Sequence, residues 1–204
     1  MIRLTQLTDL YHSVMAKCQT LDFAAPLALR LYLAPTMWTA GMNKLGHFEG
    51  VVDWFGNPEY GLGLPFPYLM ATLATWTEIL GAVCLVLGLA TRLISIPLMF
   101  TMLVAAVTVH WPYGWQAISD ANAPFANERV MESVDKLARA KEILQEHGNY
   151  EWLTSSGNFA VVNNGIEFAV TYFIMLLTLF FIGGGRWFSV DHWLSKALPA
   201  PKKP

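Results

Sequence analysis

Four stretches of this chain, residues 24–45, 67–89, 93–109 and 166–182, are almost wholly apolar. At about 1.5 Å per residue, each is long enough to cross the hydrocarbon core of a bilayer. A soluble core built from 204 residues has no room for that much apolar surface, and a composition of 54% hydrophobic and 14% charged residues agrees. A soluble globular enzyme is thereby excluded. The net charge is -2 and the longest basic run is Lys202-Lys203, which excludes a nucleic-acid partner. The expected fold is all-α: one polytopic membrane domain over residues 1–204, a four-helix bundle in contact with the lipid bilayer.

Local signals refine that expectation. Pro26 and Pro67 stand at the starts of spans, where a missing N–H costs little, whereas Pro35 and Pro97 lie inside spans and are expected to kink them and open space in the bundle. Arg3, Lys17, Arg92, Arg186, Lys196, Lys202 and Lys203 fall on one side of the membrane, with three acids (Asp9, Asp22, Asp191). The other side holds Lys44, Arg129, Lys136, Arg139 and Lys141 with ten acids. Basic residues are retained in the cytoplasm, so both termini are expected there, with residues 186–204 as a cytoplasmic tail. Trp111, Tyr113 and Trp115 mark the outer boundary and Trp187 and Trp193 the inner one. Leu4, Leu7, Tyr11, Val14, Cys18 and Leu21 recur at steps of three and four, which predicts an interfacial amphipathic helix over residues 1–22. Between the third and fourth spans, residues 111–163 form an outer loop. Within it residues 128–147 read as a charged helix with Val130, Val134, Leu137 and Leu144 on one face, ended by Gly148. With the turn at Thr154-Ser155-Ser156-Gly157 and the aromatic anchors Phe125, Tyr150, Trp152 and Phe159, a structured cap is expected. The first 22 residues lack the continuous apolar core of a cleavable signal. Cys18 and Cys84 form no CxxC or zinc-type pattern and sit toward the reducing side, which leaves no basis for a disulfide framework or a catalytic disulfide.

Ionisable residues within spans are costly and so point to function. Five stand out: Arg30, Lys44, Glu78, His110 and Glu167. Arg30, Ala34, Met37, Gly41 and Lys44 share one stripe of the first span, and Ala71, Ala74, Glu78, Gly81 and Leu85 share one of the second. Both stripes should face other helices, with the small residues permitting close approach. Glu78 lies near the midplane and Arg30 nearer the cytoplasm, their backbones separated in depth by roughly 8 Å, most of which an arginine spans. The expected pairing is Arg30 with Glu78, either as a lock between helices or as a proton-handling carboxylate whose acidity Arg30 tunes. At the outer ends of spans, Lys44, His47, His110 and Glu167 are placed to form a polar mouth or to act as ordinary interfacial anchors, and Asn163 and Asn164 are placed to cap the fourth helix. Met99, Met102, Ala106 and His110 share a face of the third span, a thioether and imidazole set suited to Cu(I) that Met37, Met42 and Met70 would complete. The competing reading is methionine as core filler. A bis-histidine haem is disfavoured because His110 is the only histidine in a span.

Leu29-Arg30-Leu31, Ala40-Gly41-Met42-Asn43-Lys44-Leu45, Glu78-Ile79-Leu80-Gly81 and Leu87-Gly88-Leu89-Ala90-Thr91-Arg92 together resemble the DoxX family of four-helix membrane proteins. Leu33-Ala34-Pro35, Trp54-Phe55, Glu59-Tyr60-Gly61, His110-Trp111-Pro112 and Gly183-Gly184-Gly185-Arg186 are similar to its HvfX-type members. The likeness covers residues 27–112 and 167–191 and leaves out the outer helix. It implies an inner-membrane protein of Gram-negative bacteria. HvfX-type members resemble companions of enzymes that handle copper-binding modified peptides. Other relatives are similar to subunits of quinone-linked sulfur oxidation or of thiol-oxidative-stress complexes. The matching positions are Arg30, Gly41, Lys44, Glu78, Gly81, Gly88 and Arg92.

The expected function is an accessory membrane component of a redox or copper-homeostasis system, acting with other membrane or periplasmic proteins that dock on the acidic outer loop. One alternative is a quinone-linked oxidoreductase subunit in which Glu78 takes the proton of a quinol. Another is a small transporter or Cu(I) conduit along Met99, Met102 and His110. The chain carries no cofactor motif of its own, so quinone or copper would come from outside and catalysis would depend on a partner.

Overall fold

The computed structural model describes residues 4–197. Arg3, Lys202 and Lys203 of the charge count, the side chain of Leu4 and the ends of the expected interfacial helix and tail lie outside the described residues. Among the described residues all regular structure is helical, with one isolated bridge between Ile118 and Val162 and no strand. The chain forms two compact units, one of residues up to Phe100 and from Ile174 onward, the other Thr101–Phe173.

The first unit opens with α1 (Leu4–Cys18), whose residues are solvent-exposed from Gln6 onward, and a 3-10 turn, Gln19–Leu21. It continues with α2 (Ala24–Gly46), α3 (Phe48–Gly56), α4 (Pro67–Leu87) and the start of α5 (Thr91–Val104). The helix α3 was not expected: its nine residues make too short a periodic run to be read, yet Phe55 is buried and the element packs against α4. The segment after it is wound tightly on itself. Asn57 Oδ1 accepts from the N–H groups of Glu59 and Tyr60, and the N–H of Leu62 donates to Trp54. A Cβ on Gly61 would fall 1.8 Å from the Trp54 carbonyl oxygen, so the Trp54-Phe55 and Glu59-Tyr60-Gly61 pattern is explained by this turn. The Tyr60 phenol donates to the Asp53 carboxylate, which pushes its pKa up.

The most extensive helix pairing is α2 on α4. Arg30, Ala34, Met37 and Gly41 are buried on α2, and Ala71, Thr75, Glu78, Ile79, Ala82 and Leu85 on α4. Both helices turn large apolar side chains outward as well, among them Leu31, Trp38, Leu73, Trp76 and Leu80. A soluble protein would keep such faces polar, whereas lipid accepts them. α2 runs on through Pro35, and beside that residue Leu31, Ala34, Trp38, Ala82, Val83 and Val86 line an apolar groove of about 360 Å³.

Local signals set the ends of α4. Pro67 occupies its first turn, and Gly88, at φ +63°, ends it with the N–H of Gly88 on Leu85 and that of Leu89 on Cys84. The chain then turns straight into α5, whose first N–H groups need an acceptor. Asp191 supplies it: its carboxylate accepts from Ala90 N at 2.6 Å and Thr91 N at 2.8 Å. Ser189 Oγ and the Asp191 N–H both donate to the Gly88 carbonyl, so the first turn of α9 (Val190–Ala197) and the residue before it close the α4–α5 corner.

In the second unit, the run from α5 passes into a π turn, Ala105–His110, and a 3-10 turn, Trp111–Tyr113. α6 (Glu128–His147) starts on the Asn127 side chain, which accepts from Val130 N at 3.0 Å, and ends at Gly148. α7 (Tyr150–Thr154) starts on Asn149 in the same way. Residues 114–119 pair by backbone hydrogen bonds with residues 161–167, and buried Asn163 knits that seam. Its amide donates to Tyr113 and Gln116 and its oxygen accepts from Arg129 Nε, so Asn163 does not cap α8 (Glu167–Ile182) as the sequence suggested. The buried polar atoms of the seam needed acceptors more than the helix end did.

Two helical runs, Pro67–Leu87 and Thr91–Tyr113, are long and apolar enough to cross a membrane. Glu167–Ile182 is as apolar but has 16 residues, and α2 has the length at 23 residues but carries Arg30 and Lys44.

The Gly88 corner yields a stability prediction. A Cβ there would lie 2.7 Å from Arg30 Cζ, on a backbone that L residues avoid, whereas nothing lies within 4 Å of one at Gly50. Gly88→Ala is expected to lower stability in detergent by about 2–4 kcal/mol, read as a fall in thermal midpoint. Gly50→Ala, in a helix interior, should leave stability unchanged or raise it by up to about 1 kcal/mol.

Candidate functional site

The helix stripes place two cations of α2 against α4, and the structure sends them to different partners. Arg30 does not meet Glu78. The residue is 1% exposed, and its guanidinium lies against the C-terminal turn of α4, where carbonyl groups have no helical donors. Nε donates to Leu85 (2.7 Å), Nη2 to Val86 (3.0 Å) and Phe188 (2.9 Å), and Nη1 to Gly184 (2.5 Å). Two carbonyl dipoles at the negative end of α4 and two from the segment after α8 solvate the cation, which therefore needs no carboxylate. The sequence missed this because two of the carbonyls come from a segment more than 150 residues away.

Glu78 pairs instead with Lys44. Nζ lies 2.8 Å from Oε1 and 2.6 Å from Oε2, with the glutamate side chain 5% and the lysine side chain 27% exposed. Both residues sit on the stripes expected from spacing. What brings them together is Gly41, one turn before Lys44. A Cβ on Gly41 would fall 2.6 Å from Ile79 Cγ1, 3.0 Å from Ile79 N and 3.2 Å from Glu78 Cβ. Only glycine lets the α2 backbone come this close to α4 at that level. Gly81, one turn on from Glu78, does the same for α5, since its Cβ would lie 2.8 Å from Leu98 Cδ1. The carboxylate is thus held symmetrically by a single ammonium inside an apolar pairing. Such an arrangement fixes helix register, and the same carboxylate is chemically able to accept a proton.

The remaining expected site residues each have a partner within their own unit. His47 Nδ1 lies 3.3 Å from the Asn43 carbonyl of its own helix. His110 Nδ1 lies 2.8 Å from the Asn164 carbonyl, and Glu167 Oε2 accepts from Ala117 N at 2.9 Å. Met102 is buried and Met99 half-buried on α5, while His110 closes the π turn. Its i→i+5 bonding departs from the 3.6-residue period on which the stripe from Met102 through Ala106 to His110 was reckoned. Among the described residues no three His, Cys, Asp or Glu side chains gather to hold a metal ion. Arg92 of the family pattern lies near the Gly183 turn, its Nε 3.1 Å from where a glycine Cβ would stand.

Comparison with known proteins falls on the same segment. Residues 25–111 match the DoxX family model. Over 83 residues the chain is 31% identical to the putative oxidoreductase CatD of Bacillus subtilis (strain 168), covering 41% of this chain and 58% of that protein. Over 84 residues it is 33% identical to the inner membrane protein YphA of Escherichia coli (strain K12), covering 41% of this chain and 56% of that protein. The chain therefore spans less than two thirds of these curated relatives. No solved structure matches it. The matched stretch holds Arg30, Gly41, Lys44, Glu78, Gly81, Gly88 and Arg92, and stops short of Gly184, Phe188 and Asp191, which complete the corner.

The pair itself is tested by a double-variant cycle. Lys44→Met strands a buried carboxylate and is expected to cost about 3–5 kcal/mol in the unfolding free energy measured in detergent. Adding Glu78→Gln should recover most of that loss, giving a coupling energy of at least about 1.5 kcal/mol. Additive losses would mean that the two side chains do not interact.

Proposed function

We propose that this chain is a DoxX-type inner-membrane protein of four spans, α2, α4, α5 with its π turn, and α8, with both termini in the cytoplasm. On this reading it is an accessory subunit of a redox system, and Lys44–Glu78 is its working element. The observation that carries the reading is the buried, symmetric ion pair in the middle of α4. A structural lock between two apolar helices is achieved as well or better by apolar side chains, so a retained ion pair points to a task that needs a charge. The match to the DoxX model and the likeness to a protein named as a putative oxidoreductase support a redox setting.

The chemistry follows from the pair. When a quinol-type reductant is oxidised, two electrons leave with two protons. The electrons pass to a partner protein, because this chain has no redox motif. Glu78 accepts one proton while Lys44 holds the carboxylate in place and the second proton leaves directly to solvent; the charge left on Lys44 then drives the Glu78 proton onward to solvent as well. Arg30 takes no part in that transfer and keeps the α4 end fixed. The acidic outer unit is the docking surface for a periplasmic partner. A role in copper homeostasis, as companion to enzymes that mature a copper-binding peptide, is the form this accessory function would take in HvfX-type systems.

The test is a complementation series in a deletion strain, with Glu78→Gln and the wild-type protein accumulated to equal levels. Glu78→Gln should lower quinol-dependent oxygen uptake by membranes about a hundredfold, with tolerance to thiol oxidant and copper read alongside. Uptake and tolerance equal to wild type would overturn the proton-handling role.

A further inference from the structure

Thr75 stands one helical turn before Glu78 on the buried face of α4, and its residue exposure is 0%. Its hydroxyl has no hydrogen-bond partner among the described residues. The buried hydroxyls of Thr91, at the first position of α5, and Ser119, in a loop, are also unpartnered among the described residues, but Thr75 lies inside a helix. Hydroxyls in apolar helices discharge themselves on the carbonyl four residues back, as Thr72, Ser95, Thr108 and Thr178 do at 2.7–2.9 Å. Thr75 forgoes that bond with the carbonyl of Ala71, and an unmade buried hydrogen bond is expensive.

The register of α2 on α4 says what lies across from it. Arg30 reaches Leu85, and Gly41 stands against Glu78 and Ile79, so the helices are antiparallel. One turn outward from Gly41 is Lys44, and one turn back from Glu78 is Thr75, which places them at the same level. Lys44 carries three N–H donors. Two are committed to Glu78 and the third has no protein partner among the described residues. Two donors at one level, beside an ion pair of zero net charge, call for an acceptor oxygen on a neutral group. Around this level α2 and α4 expose Met42, Leu45, Leu73 and Trp76, so whatever reaches the site crosses apolar surface.

We infer that Thr75 Oγ1 and the third proton of Lys44 form a subsite for the carbonyl oxygen of a neutral, lipid-soluble molecule. This deepens the redox reading by naming a positioning residue and a ligand class, and it rests on that reading only for the physiological ligand. Thr75 donates to the carbonyl, Lys44 donates from the other side, and Glu78 remains free to exchange a proton.

The probe is duroquinone, a tetramethyl quinone with no isoprenoid tail, set against durene, which has the same shape and no carbonyl. Binding is measured by equilibrium dialysis on the full chain in nanodiscs, and the bound carbonyl stretch by infrared difference spectroscopy. Thr75→Val keeps the shape and removes the hydroxyl; it should weaken duroquinone about tenfold and return the carbonyl band toward its free position. Thr75→Ser should stay within about twofold of wild type. Durene should bind weakly and without regard to residue 75. The thermal midpoint of Thr75→Val should not fall below wild type, because the hydroxyl it removes satisfies nothing in the protein. Equal duroquinone affinity in wild type and Thr75→Val overturns the inference, as does durene binding as tightly as duroquinone. So does no binding to wild type, which would leave water as the partner of the hydroxyl. Loss of Thr75-dependent binding with the Glu78 phenotype intact would fell this subsite alone. The converse would fell the redox reading and leave the subsite standing.

Discussion

Everything in the first unit depends on how a guanidinium is kept charged, on a residue 1% exposed, with no carboxylate in ion-pair range among the described residues. The answer is backbone. α4 ends at Gly88 in a left-handed turn that leaves its last carbonyl groups pointing at one spot, and Arg30 fills it with donors to Leu85 and Val86. The same side chain collects Gly184 and Phe188 from after α8, so one residue joins three parts of the chain. Gly88 is the counterpart of this arrangement. Its lack of a side chain permits both the turn and the approach of the guanidinium.

With Arg30 committed there, the second cation of the stripe is released for Glu78. The two sites share α2 and α4 but use opposite physics. Arg30 is a cation solvated by neutral dipoles, with fixed geometry and no group that titrates nearby except Asp191, itself engaged by the N–H groups of Ala90 and Thr91. Lys44 and Glu78 are two full charges of opposite sign in direct contact. A protein that needed only to clamp α2 to α4 already has the first device, which is why the second one invites a functional reading. Two glycines follow the same division, with Gly41 serving the ion pair and Gly88 the arginine.

How far the sequence reveals this depends on the range of each interaction. The start of α4 and the end of α6 were legible because Pro67 and Gly148 act within a turn of where they stand, whereas the span drawn to residue 89 overran the left-handed Gly88 cap and the Asn127 cap went unread. The stripes on α2 and α4 were legible because burial follows a fixed period. The partner of Glu78 was not. Spacing put Arg30 and Lys44 on the same face, and the choice between them turns on carbonyl groups 154 and 158 positions later in the chain. α3 went unread because nine residues give barely two turns of pattern, and the π turn at Ala105–His110 went unread because it breaks the very period used to look for it. Thr75 carries no signal of its own in the sequence. Only the bonds made by its neighbours of the same kind mark it out.

The α4–α5 corner also sets an order of assembly. By the time Phe100 has been synthesised, Arg30 can reach Leu85 and Val86, but Gly184, Phe188 and the Asp191 carboxylate do not yet exist. Until they arrive, the nascent protein holds a half-solvated cation and an α5 without its Asp191 cap. Translation of the last helix region is therefore the step that commits the chain. A chain that stops before residue 184 keeps Arg30 short of two of its four carbonyl partners.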